Sequence, residues 1–348
     1  MALTDIWDYV RASGDRRLRK QGYVSSGMGI LDRYRRVPRF WAPHLENNRQ
    51  NLLNISLDPK FGSETGGTLL ILGAGRMLDV PWEQLFPRFE RVVLADADHC
   101  VVPYVERLLA ASKVQGIKTP LFEIGDLTAS VVDVAAWAES VIAGSSSGSV
   151  AAKALRDGFE SAVAPQAPWV RMYADVRLAV STNLLSQLGY YPRLHIQTEF
   201  QKRFKQQFDS HEEAAESLER YFVRVRARHI QDLCSLHKSW GYLATDIDVV
   251  TYELKAKHTD MLTAIPPPNA GVELNSRGEV QFFWPAKIIE HSDPLHGQHV
   301  KDLWPRGTVT APPKRWVWHI VPQGSEKKYP DFGRVHIVEA WTKQVTSG

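Results

Sequence analysis

Three short apolar runs, at residues 68–72, 91–95 and 121–124, each stop at glycine or aspartate, and helical spacing fills 101–112 between the second and third. Unbroken apolarity over so few residues marks a strand buried on both faces. Strands that alternate with helices need right-handed crossovers onto a parallel sheet. That rhythm constrains the chain more than any other feature. It continues with predicted strands at 177–181 and at 240–245, the latter ending at Asp246. Residues 315–321 and 334–343 then alternate, rich in Val, Ile and Trp, around a Gly- and Lys-containing turn, which predicts a C-terminal antiparallel hairpin. The expected fold is α/β: a doubly wound, mostly parallel seven-stranded sheet with that hairpin and an N-terminal helical extension.

The extension is expected over residues 1–65, as helices broken at Gly27, Gly29 and Pro38, and is read either as packing on the sheet or, with Trp41 and His44, as a lid. Residues 66–348 form the sheet domain. An insertion at 129–168 reads as two helices around the flexible stretch Gly144-Ser-Ser-Ser-Gly148, and additions occupy 262–313, with an extra strand at 280–284. Ser210 and Glu213 have capping-box spacing ahead of a helix reaching about Leu236. Trp316, Trp318 and Trp341 read as core or sheet-face residues rather than a platform for stacking bases.

Composition decides partners and compartment. The 348 residues carry a net charge of only +3, too little to imply nucleic acid. The first 60 residues, with eleven Lys and Arg against six acids, leave a phosphate-bearing partner open beside the simpler reading of a solvated helical face. Cys100 and Cys234 supply neither a disulfide framework nor a zinc cluster, and both read as small core residues. No run of 18 apolar residues exists, and Asp5 and Asp8 interrupt any signal core, so no membrane partner is expected and a cytoplasmic protein is.

The chemistry gathers at the strand ends. Leu70-Ile-Leu-Gly-Ala-Gly-Arg76 closes the first strand, and a glycine pair there lets backbone approach a ligand at the carboxyl edge of the sheet. Asp96 ends the second strand, where a carboxylate can accept both hydroxyls of a ribose. Asp126, after the third, can meet an adenine amino group. A dinucleotide fingerprint would place a third glycine at Leu78. Asp79, read as the cap of a helix with Pro81 in its first turn, sets a carboxylate where a pyrophosphate would want free N–H groups. His291, Asp293, His296 and His299 match no regular zinc spacing and read as a solvated loop; no metal is expected. His229 and His237 are eight apart, on roughly one helical face, and read as partly buried polar residues.

On these residues the chain resembles the class I S-adenosylmethionine-dependent methyltransferases, over roughly 66–260 and 314–344. The resemblance rests on Leu72-Gly-Ala-Gly75, Asp96, Gly125-Asp126, Ser181-Thr-Asn183 and the terminal hairpin. It implies S-adenosylmethionine as cofactor. Gly73 and Gly75, with Leu72 and Ala74, would border the methionine part, Asp96 and Ala97 the ribose, and Asp126 and Leu127 the adenine. Asn183, the catalytic candidate, would sit where the methyl group leaves, to orient an acceptor or merely to cap its turn.

Ile71 stands where the family carries an acid, and Met77 where its turn has a third glycine. Leu184 and Leu185 follow Asn183, so the Asn-Pro-Pro-aromatic motif of amino-directed nucleic-acid methyltransferases is absent and a small-molecule acceptor is preferred. Two other readings stay open. An NAD(P)-dependent oxidoreductase shares the first strands and Asp96, and a non-catalytic cofactor-binding member of the fold would tolerate Ile71.

Overall fold

The computed structural model describes residues 15–62, 66–254, 271–308, 310–328 and 330–345. The first fourteen residues and the proline break at 266–268 lie outside them. Three helices come first: α1 (Arg16–Lys20), α2 (Tyr23–Arg36) and α3 (Pro38–Leu57). Proline at the first position of α3 explains the break there, but α2 runs through both glycines predicted to interrupt it. Gly27 serves close packing instead, since a Cβ on it would stand 2.3 Å from Oδ2 of Asp98.

The parallel strands are β1 (Thr68–Leu72), β2 (Arg91–Asp96), β3 (Leu121–Ile124), β4 (Val176–Thr182) and the first part of β5 (Trp240–Leu254). All five residues of β1 are buried, as its unbroken apolarity requires for a strand paired on both edges with a layer on each face. The crossovers carry α4 (Trp82–Leu85), α5 (Val101–Ala110), α6 (Val131–Gly144), α7 (Gly148–Ser161), α8 (Trp169–Met172), α9 (Tyr190–Phe204) and α10 (Glu212–Ser235). The cap of α10 is His211, not Ser210, whose hydroxyl turns back to the carbonyl of Gln207. His237 falls beyond the end of α10, so it shares no helical face with His229.

The C-terminal region contributes β6 (Val272–Leu274), β7 (Val280–Phe282), β8 (Ala286–Ser292), α11 (Val300–Leu303), β9 (Lys314–Val321) and β10 (Gly333–Lys343). Strand order in the main sheet is β3-β2-β1-β4-β5-β10-β9, with β10 antiparallel to both neighbours. This is the doubly wound, mostly parallel arrangement with an antiparallel terminal hairpin that the sequence predicts. Two differences from the sequence reading stand out. Strand β5 continues past Asp246 to Leu254, and β8 pairs antiparallel with that continuation as an eighth strand. The extra strand at 280–284 is β7, but it pairs with β6 in a separate ribbon. Among the described residues no helix is long and apolar enough to cross a membrane.

Candidate functional site

In an open parallel sheet, ligands bind beyond the carboxyl ends of the strands where the strand order reverses, here between β1 and β4. A cavity of about 160 Å³ lies at that point. Gly73, Ala74, Gly75, Asp96, Ala97, Asp126, Leu127 and Asn183 all line it, so the sequence-predicted residues converge; Leu72 lies just below, buried within β1.

The turn after β1 is left-handed at Gly73 (φ +70°), Gly75 (φ +52°) and Met77 (φ +55°). A Cβ on Gly73 would crowd the Leu184 side chain at 3.2 Å, whereas one on Gly75 would meet only the Gly73 carbonyl, at 3.8 Å. The second glycine therefore leaves an opening on the cavity side of the chain. Asp96 fastens the turn: one carboxylate oxygen accepts the Gly75 N–H at 2.7 Å and the other the Asp98 N–H at 2.7 Å. A carboxylate offers about four lone-pair sites; the Ala97 N–H also bears on this one, and at least one site remains for a ligand. Burial raises the Asp96 pKa above its ordinary value, and the N–H groups of Asp98 and Gly75 act against that rise.

Asp126 is more heavily committed. It accepts the N–H and hydroxyl of Thr128 at 2.8 and 2.7 Å and the N–H of Val132 at 2.9 Å, capping the start of α6. About one lone pair is left. Asp98 forms a buried ion pair with Arg76 at 3.1 Å, yet burial lifts its pKa to about 6.

The far wall was only partly foreseen. Asn183 occupies a left-handed position (φ +53°), which asparagine tolerates better than most residues. Its side-chain Nδ2 donates to Asp79 at 3.0 Å, and its Oδ1 is buried without a hydrogen-bond partner among the described residues. Asp79 is therefore not a helix cap: the short α4 begins after Pro81 with no side-chain cap, and Asp79 lines the cavity with its pKa raised by burial. His44 of α3 receives the Trp316 indole N–H on Nδ1 at 3.1 Å and stands with Nε2 3.3 Å from the Asn183 amide. Full burial drives the His44 pKa down to about 3, so the ring is neutral at physiological pH. Its face stacks on Trp318 with centroids 4.1 Å apart.

The roof comes from the N-terminal helices: Leu18, Tyr23, Gly27 and Ile30 of α1 and α2 join Trp41, His44 and Leu45 of α3. Ion pairs Arg17–Asp133 and Lys20–Glu139 tie α1 to α6, while Arg33 meets Glu326 at 2.7 Å beyond β9. Those cations of the basic N-terminus are thus spent inside the molecule. Tyr23, Gln187, Tyr191 and Trp318 are lining residues that sequence reasoning missed, because nothing local marks them. The histidines at 291–299 are dispersed: His291 sits 3.2 Å from Asp248 and His296 turns to Arg193 and Glu219. No metal-binding group is present among the described residues.

No family model and no curated protein matches the sequence. Solved structures similar to this chain include "DhpI-SAH complex structure", 10% identical with a TM-score of 0.27 over 95% of this chain and 99% of the other. Another is "DhpI-SAM-HEP complex", 9% identical with a TM-score of 0.23 over 86% and 97% of the two chains. Likeness at this level has no bearing on residue roles, which are assigned from the strand order and the cavity.

Proposed function

We propose that the protein is an S-adenosylmethionine-dependent methyltransferase with a small-molecule acceptor. The observation that carries the reading is Asp96, which closes the glycine turn by accepting the Gly75 and Asp98 N–H groups and keeps lone-pair capacity on the cavity side for a ribose hydroxyl. The opening at Gly75 suits the methionine part, and the remaining lone pair of Asp126 suits an adenine amino group. A bound sulfonium would supply an activated methyl group, and the chain's own task is to orient, enclose and exclude water. Asn183 and His44 line the cavity where an acceptor would approach, and the Asn183 carbonyl oxygen has no partner among the described residues. Asp79 in the wall counts against a dinucleotide, whose phosphates it would repel.

The test is calorimetric titration of the purified chain with S-adenosylhomocysteine, and with NAD in parallel. Micromolar binding of the first and silence from the second is the expected result. Binding of NAD alone, or of neither, overturns the reading.

A further inference from the structure

Beside the cavity lies a larger hollow of about 770 Å³, and Ile30, Gln187, Tyr191 and Trp318 line both spaces. Its floor is one face of the antiparallel end of the sheet, where strand register fixes what stands in each row. Arg334 of β10 pairs with Thr251 of β5, and Thr251 pairs in turn with Glu290 of β8. All three line the hollow. Neighbouring strands lie about 4.8 Å apart, so the Arg334 and Glu290 backbones stand about 10 Å apart with a hydroxyl between them. Side chains rise roughly perpendicular to a sheet, which keeps that separation at the level of the charges. One row closer to the parallel strands, Trp318 of β9 pairs with His336 of β10 and carries the floor up to the shared wall.

The other carboxylates and guanidinium groups of the hollow are already committed. Arg33 meets Glu326 at 2.7 Å, and Arg193 and Arg226 share Glu219. Asp246 accepts the Ser186 hydroxyl, and Asp293 accepts the N–H groups of Leu295, at 2.8 Å, and Gly297. Among the described residues the Arg334 guanidinium has no ion-pair or hydrogen-bond partner, and the Glu290 carboxylate has only the Ser292 hydroxyl, at 3.2 Å. The Trp318 indole N–H is buried and has no acceptor among the described residues. An oxygen of a bound molecule would satisfy it.

An anion drawn to Arg334 also faces Glu290 in the same row, and a cation drawn to Glu290 also faces Arg334. A molecule that carries both charges at this spacing is attracted at each end. Extended chain advances about 3.3–3.6 Å per residue, which puts the termini of a tripeptide about 10 Å apart. Its peptide carbonyls are acceptors of the kind the Trp318 N–H lacks.

We propose, on the methyltransferase reading of the adjoining cavity, that the larger hollow binds the acceptor and that the acceptor is a zwitterion with its charges spaced as in a short peptide. Arg334 holds its carboxylate, Glu290 its ammonium group, and the Trp318 N–H an oxygen of the segment between them. The wall shared at Trp318 sets that segment beside the cofactor cavity.

The test titrates triglycine into the full chain saturated with S-adenosylhomocysteine and follows the Trp318 indole N–H by NMR, its signal assigned through Trp318→Phe. Millimolar binding is expected, with cross-relaxation between the methylene protons of the probe and that N–H. Blocking one end of the probe separates the two charges. Arg334→Gln should weaken triglycine about 3- to 10-fold and leave triglycinamide, which lacks the carboxylate, unchanged. Glu290→Gln should weaken triglycine by a similar factor and leave N-acetyltriglycine, which lacks the ammonium group, unchanged. Both variants should keep the wild-type affinity for S-adenosylhomocysteine. No binding of triglycine, equal losses for the free and blocked probes, or binding without contact to the Trp318 N–H overturns this proposal. Failure of S-adenosylhomocysteine to bind the wild type overturns the methyltransferase reading itself, whatever triglycine does.

Discussion

Asp96 serves both the turn and any ligand, and the two roles separate by substitution. Alanine removes the acceptor for the Gly75 and Asp98 N–H groups as well as the ribose contact. Asparagine keeps one carbonyl acceptor and loses the charge. Loss of a charge-assisted hydrogen bond costs about 1.5–3 kcal/mol, so Asp96→Asn should weaken S-adenosylhomocysteine binding roughly 10- to 150-fold by calorimetry. Unchanged affinity would sink the ribose assignment. Gly73, Gly75, Asp96 and Asp126 were legible in the sequence because each follows directly from the end of a strand. Asp79 was misread because its partner Asn183 is 104 residues away, and the proline beside it offered a local explanation. Trp318 gave no signal at all, since alternation on a strand assigns a residue to a face but not to a ligand.

At the level of elements, α2 shows how two glycines in one helix can differ. Gly27 sits against Asp98, whereas a Cβ on Gly29 would meet nothing within 4 Å. Gly27→Ala should therefore lift the helix from the cavity, costing about 1–3 kcal/mol in urea unfolding and lowering ligand affinity. Gly29→Ala should gain up to about 1 kcal/mol from helix propensity alone. Equal effects would refute the close-packing role of Gly27. The sequence could not distinguish these glycines, because the difference lies in a loop about seventy residues further on. For a similar reason β8 escaped notice. It is an edge strand with exposed Ile288 and Ile289, and among the described residues its main-sheet partner is the unforeseen second half of β5.

For the molecule as a whole, buried histidines set the response to acid. Burial lowers His44 to about 3 and His229, beside the Ser181 hydroxyl, to about 4. Both lie below the unfolded value near 6.5, so the unfolded chain binds more protons and stability falls as pH drops from about 6.5 through about 4. Asp98, raised to about 6, works in the opposite sense, since its contribution is present at low pH and lost as pH rises through that value. Its effect cancels between the wild type and His229→Asn. Between pH 6 and 4.5, urea unfolding should therefore show the wild type losing about 1.4 kcal/mol per pH unit more than the variant. Parallel curves would mean that His229 is not held neutral. The strand–helix alternation disclosed the layered architecture, but charge counting could not show that Arg17, Lys20 and Arg33 close on acids of this same chain.

The contact between Trp316 and His44 spans 272 residues. On a ribosome the roof of the cavity is therefore made well before its far wall. A nascent chain has no complete binding site until the terminal hairpin has emerged and paired. Ligand can then stabilise the finished fold by mass action but can offer nothing to its precursors. Binding competence thus marks a chain whose synthesis has passed β10, and a chain cut short before β9 would be left without it.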